Sequence, residues 1–61
     1  SPNGTTAVMM AARYGSDDAT MALVTRGASL VTKNDKGLNA ADFARLGGRE
    51  KLAAALEKGA R

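Results

Sequence analysis

The chain has no cysteine, no histidine and no tryptophan, and its large aromatics are a single Tyr14 and a single Phe43. Without cysteine there is no disulfide or thiolate metal site to brace a small fold. That absence is compatible with any redox compartment, and the cytoplasm serves as the default. Without His or Cys the common general base, the thiolate nucleophile and the soft metal ligands are all missing. No catalytic constellation can be built, so no enzyme activity, cofactor, metal or small-molecule substrate is expected. Six carboxylates remain. Asp17, Asp18, Asp42 and Glu50 fall at helix starts, where the macrodipole favours negative charge, and Asp35 falls in a turn. No apolar run approaches the ~20 residues of a membrane span, and the N-terminus lacks the basic-then-apolar pattern of a signal peptide. The chain is therefore expected to be soluble, with no membrane role. Its 61 residues allow one small domain. A core of that size rarely supplies more than ~3 to 5 kcal/mol, and with so little aromatic bulk it must come from close packing of alanine against Leu, Val and Met.

What the chain does contain is internal repetition. With residue i laid over residue i+33, Gly4 falls on Gly37, Ala7 on Ala40, Ala11 on Ala44, Gly15 on Gly48, Ala22 on Ala55 and Leu23 on Leu56. A fixed period of this size marks units that cannot bury their own apolar faces and stack on one another. The segment between the copies, Gly27 to Leu38, has no helical periodicity and is read as their joint. Around it the pattern predicts four short helices. Ser1 to Thr5 reads as a turn, and Asn3-Gly4-Thr5 fits an N-glycosylation acceptor, although turn chemistry alone explains Asn-Gly. Thr6 can cap a helix over Ala7 to Tyr14 that buries Val8, Ala11 and Ala12, with Met10 filling gaps, and Gly15 can end it in the left-handed conformation. Ser16 can cap a second helix running to Arg26 and closed by Gly27, with Ala19, Ala22, Leu23 and Val24 on its buried side. Asn39, with Asp42 three residues on, forms a capping box for a third helix, Ala40 to Leu46, broken by Gly47-Gly48. Arg49 to Lys58 make the fourth, burying Leu52, Ala55 and Leu56 and ended by Gly59.

These residues together resemble the ankyrin repeat, whose unit runs Gly-x-Thr-Pro-Leu-His-x-Ala-Ala-x-x-Gly-His and closes, after an apolar second helix, with Gly-Ala and a β-hairpin loop. The first copy reads Gly4-Thr5-Thr6-Ala7-Val8-Met9-Met10-Ala11-Ala12-Arg13-Tyr14-Gly15 and reaches Gly27-Ala28. The second reads Gly37-Leu38-Asn39-Ala40-Ala41-Asp42-Phe43-Ala44-Arg45-Leu46-Gly47-Gly48 and reaches Gly59-Ala60. The departures are Ala7 and Ala40 at the proline positions, Met9 and Asp42 at the histidine positions, and Val31 where a loop asparagine is usual. The resemblance implies an all-α solenoid of two stacked helix-turn-helix units, residues 4–36 and 37–61, with a short β-hairpin finger that anchors Leu30 inward. It also implies a divergent pair of repeats from the C-terminal portion of an array, helped by preceding repeats or by self-association.

The resemblance further implies a scaffold module that binds a protein partner through a concave face and the finger. The matching positions are Thr5, Arg13 and Tyr14 in the first copy, with Lys33, Asp35, Lys36, Leu38 and Leu46 from the joint and the second copy. Tyr and Arg are the residue types enriched in interface hot spots. Two other readings compete: a purely structural end of a longer array, and a basic helix-turn-helix nucleic-acid binder. The second rests on charge asymmetry, because residues 1–30 balance Arg13 and Arg26 against Asp17 and Asp18 while the excess of the net +3 lies beyond them. Nucleic acid is disfavoured, because charges of alternating sign mark a solvated face, and the third and fourth helices lack a row that would read base edges. Gly47-Gly48-Arg49 at a helix start could hold an anion, but a helix break explains the glycines better.

Overall fold

The computed structural model of the protein describes residues 4–60. The acceptor Asn3, the turn residues before Gly4 and the terminal Arg61 lie outside them. Four helices follow in order: α1 (Ala7–Tyr14), α2 (Asp17–Thr25), α3 (Ala40–Leu46) and α4 (Glu50–Gly59). Among the described residues there is no strand, and none of the helices is long and apolar enough to cross a membrane. The fold is all-α. α1 packs on α3, α2 lies along α1, and α4 along α3.

Helices this short are marginal in water by themselves, so their ends are closed by local hydrogen bonds and their faces by packing. Thr6 caps α1 by accepting from the Met9 N–H, and the Met9 sulfur in return accepts from the Thr6 N–H at 3.3 Å. Asn39 and Asp42 form the same reciprocal box at α3, both bonds at 3.0 Å. Ser16 caps α2 through the Ala19 N–H. α2 and α3 end alike, in a Schellman pattern. Ala28 N–H donates to Leu23 C=O and Gly27 N–H to Val24 C=O, just as Arg49 donates to Ala44 and Gly48 to Arg45. The left-handed residue this pattern requires is Gly27 (φ 94) in one case and Gly48 (φ 76) in the other.

Several expectations are corrected. Gly15 ends α1 in an extended conformation (φ −86), not a left-handed one. Gly59 belongs to α4. Gly47 caps α3 in a conformation open to any residue, its N–H donating to the Phe43 and Ala44 carbonyls, but a Cβ there would stand 2.5 Å from the Arg13 carbonyl oxygen, so its bareness is what lets the ends of α1 and α3 meet. In α1 the buried methionine is Met9, fully enclosed, while Met10 is half exposed and Ala11 only partly covered. In α2 Ala19 and Ala22 face solvent, Leu23 and Val24 are half-buried, and the enclosed side chain is Thr20, whose hydroxyl donates to the Ser16 carbonyl at 2.9 Å. In α4 Ala53 is buried in place of Ala55. The core is Val8, Met9, Ala12, Ala40, Ala41, Phe43, Ala44, Leu52, Ala53 and Leu56, half of it alanine, which brings the helices close and leaves few large side chains to carry the burial.

The joint is also not a β-hairpin. Asn34 N–H donates to Leu38 C=O, and Gly37 N–H donates to Asn34 C=O, but no ladder continues from there. The Asn34 side-chain oxygen instead accepts from the Lys36 and Leu38 N–H groups, so one buried amide does the work that cross-strand bonds would do. Upstream, the Ser29 hydroxyl accepts from the Val31 and Thr32 N–H groups, which fixes the backbone at Val31 while its side chain points to solvent. Leu30 turns inward onto the core.

Candidate functional site

The side chains left over by this packing gather on one side. Met10, Arg13 and Tyr14 from α1 and Phe43 and Leu46 from α3 line a groove with Asn34, Lys36 and Leu38 of the joint and Thr5 before α1. Its volume is about 440 Å³ and it is open to solvent. Helical spacing explains the rows: Met10 stands one turn before Tyr14, and Phe43 one turn before Leu46, so each pair shares a face. Phe43 and Thr5 are nearly covered and form the floor, whereas Tyr14 is 65% exposed at the rim. The Arg13 guanidinium lies over the Tyr14 ring, 5.0 Å from its centroid, an attraction that holds the charge and the ring in one place.

Of the residues expected to contact a partner, the structure brings Thr5, Arg13, Tyr14, Lys36, Leu38 and Leu46 into this groove and leaves out Lys33 and Asp35, which are exposed at the tip of the joint. Met10, Asn34 and Phe43 were not anticipated. The first and last carry a readable signal in their spacing from Tyr14 and Leu46. Asn34 carries none, because its place depends on its side chain folding back onto its own loop.

The charges divide into two groups. Arg45 pairs with Glu57 and lies 3.6 Å from Glu50, and Arg49 lies 3.8 Å from Asp17 at the start of α2. These contacts pair two of the basic residues of the second half with acids, and Arg49 is turned to a carboxylate and not to an anion site at α4. Arg13 and Lys36 enter no ion pair among the described residues. The described residues hold no cluster of three or more metal-ligating side chains.

No protein-family model and no curated protein matches the chain. It is similar to a chain in the solved complex of the Bd0816 predatory endopeptidase from Bdellovibrio bacteriovorus with immunity protein Bd3460. The identity is 40% and the TM-score 0.78, over 90% of this chain. The likeness spans 28% of that chain's length. The setting of the neighbour is a protein–protein complex.

The ankyrin assignment is overturned by the same findings: no family model supports it, and the matching structure is one of an endopeptidase–immunity protein complex. Local structure shows where the motif departs. The joint lacks the hairpin strands, and Met9, in place of the motif's histidine, spends its sulfur on the cap of its own helix.

Proposed function

We propose that the chain is a non-enzymatic protein-binding module that engages a protein partner through the groove between α1, α3 and the joint, and that the partner is an endopeptidase. The observation that carries the reading is the groove itself, in which an exposed aromatic, an arginine fixed over it and several large apolar side chains converge on one open face. A small, tightly packed domain has no packing reason to keep Tyr14 in water. Aromatic and arginine anchors beside apolar floor residues are the composition of an interface centre. The likeness to part of an endopeptidase–immunity protein complex supports the choice of partner. Residues 4–36 and 37–61 are read here as two helical-hairpin units stacked in solenoid fashion. Corresponding caps at Thr6 and Asn39, and left-handed glycines at Gly4 and Gly37 (φ 78 and 76), support that reading.

Calorimetric titration of the Bd0816 endopeptidase with this chain tests the reading. Binding at micromolar affinity or tighter is expected, and Tyr14→Ala should weaken it about 30-fold, the equivalent of ~2 kcal/mol for a central anchor. Circular dichroism of the variant should remain that of the wild type. Unchanged binding by a folded Tyr14→Ala chain would remove the groove from the interface, and absence of binding by the wild type would remove the endopeptidase as partner.

A further inference from the structure

The groove is selective in its charge. Arg13 and Lys36 are the charged groups that line it, and no carboxylate does. Four of the six carboxylates are engaged away from it: Glu50 and Glu57 at Arg45, Asp17 at Arg49, and Asp42 at the Asn39 cap, while Asp18 and Asp35 are exposed and outside its lining. Arg45 and Arg49 are thus matched by acids, while Arg13 and Lys36 enter no ion pair among the described residues and border an apolar floor. Resting on the protein-binding reading above, we propose that the groove takes an acidic, apolar segment of the partner protein. Its aliphatic or aromatic side chains lie against Met10, Leu38, Phe43 and Leu46, and its carboxylates meet Arg13 and Lys36.

Three features favour that occupant. The Arg13 guanidinium, held over the Tyr14 ring, has already given up part of its rotamer freedom, so less is lost when its planar N–H fork meets a carboxylate. Lys36 is placed by the backbone and not by its own side chain, because its N–H is tied to the Asn34 side chain at 2.9 Å. Its ammonium is a mobile point charge that can follow a second carboxylate. A phosphate backbone fits less well. Nucleic-acid binding draws on a run of cations and loses steeply with salt, whereas here two cations border a surface that is mainly hydrocarbon.

The test uses fluorescence anisotropy with the whole chain and three labelled synthetic peptides. Each carries the same Leu and Phe residues, flanked by glutamates, by glutamines or by lysines. At low salt the glutamate peptide should bind about tenfold more tightly than its glutamine counterpart, and the lysine peptide most weakly. The glutamate advantage should shrink as salt shortens the screening length. The paired substitution Arg13→Gln and Lys36→Gln should abolish the preference while the circular dichroism spectrum and thermal melt of the variant stay those of the wild type, which separates loss of charge from loss of fold. Equal affinities, a preference for lysine, no glutamate binding below about a millimolar, or tighter binding of a single-stranded DNA oligonucleotide would each overturn the proposal. If the peptides show no charge preference while Tyr14→Ala still weakens the endopeptidase, the acidic-segment inference fails and the protein-binding reading stands.

Discussion

Replacing Gly47 with alanine isolates a single close approach. Gly47 has φ −83 and ψ 2, a conformation alanine adopts freely, so the substitution carries no backbone strain. What it adds is a methyl group whose carbon would stand 2.5 Å from the Arg13 carbonyl oxygen and 3.3 Å from the Arg13 Cα. Both are backbone atoms and cannot rotate away, so α1 and α3 must separate at these ends. Overpacking of this kind costs ~1 to 3 kcal/mol, and a backbone-to-methyl clash belongs at the upper end. The loss of glycine's unfolded-state freedom returns ~0.4 to 1 kcal/mol. The net is a loss of about 1.5 to 2 kcal/mol from a fold of this size that holds only ~3 to 5. In a thermal melt followed by circular dichroism that is a fall of about 6 to 16 °C. Gly48→Ala is the matched comparison, because nothing lies within 4 Å of a Cβ there but φ is +76. Its cost is backbone strain alone, ~1 to 2 kcal/mol, and asparagine, which tolerates the left-handed region, should recover part of it. Asparagine at Gly47 should recover nothing. A Gly47→Ala chain that melts within a degree or two of wild type, or one that Gly47→Asn rescues, would refute the steric account.

Other expectations follow from the same contacts. Asn34→Ala removes two hydrogen bonds to Lys36 and Leu38 and should cost ~1 to 3 kcal/mol, with amide exchange at those two residues accelerating more than in α3. Exchange rates equal to wild type would show that the joint is held by other means. Asn39→Ala and Asp42→Ala should each cost ~1 kcal/mol, and the double variant less than their sum, because each removes one half of a shared box. Strict additivity in urea unfolding would deny the coupling. Thr20→Val keeps the shape of an enclosed side chain and deletes its bond to Ser16, so a loss of ~1 kcal/mol is expected. The Ser16 carbonyl still accepts from the Thr20 N–H, which keeps the loss from growing larger. A loss above about 3 kcal/mol would mean that the hydroxyl has a further role.

The parts of the fold that were legible beforehand are those set by local chemistry. Thr6, Ser16 and Asn39 announce helix starts because a short oxygen-bearing side chain can reach an N–H three residues on, and Gly27 announces an end because a left-handed residue is needed there. The parts that were missed depend on what lies across the fold. Gly47 and Gly48 look alike in a sequence, yet one permits a turn and the other permits contact with α1. Periodicity in α2 points to alanines, but alanine buries so little surface that it does not decide which face turns inward, and Thr20 goes in because its hydroxyl is satisfied within its own helix. The expected hairpin failed for a similar reason: Asn34 supplies through its side chain the hydrogen bonds that a strand pair would supply. In the groove, Tyr14 and Leu46 were anticipated as positions that match the contact surface of the ankyrin repeat. Met10 and Phe43 become lining only once α1 and α3 are set side by side.

The reciprocal cap at α1 makes the three methionines a graded chemical reporter. Met9 is wholly enclosed and its sulfur is engaged by the Thr6 N–H, while Met10 and Met21 stand 45% and 43% exposed. Mild peroxide should therefore convert Met10 and Met21 to sulfoxides well before Met9, which reacts only as often as the start of α1 opens. Once oxidised, Met9 would carry a polar oxygen into the alanine-lined core, so that a single opening long enough to admit peroxide becomes permanent. Oxidative damage in this chain is then gated by two hydrogen bonds at the first turn of its first helix.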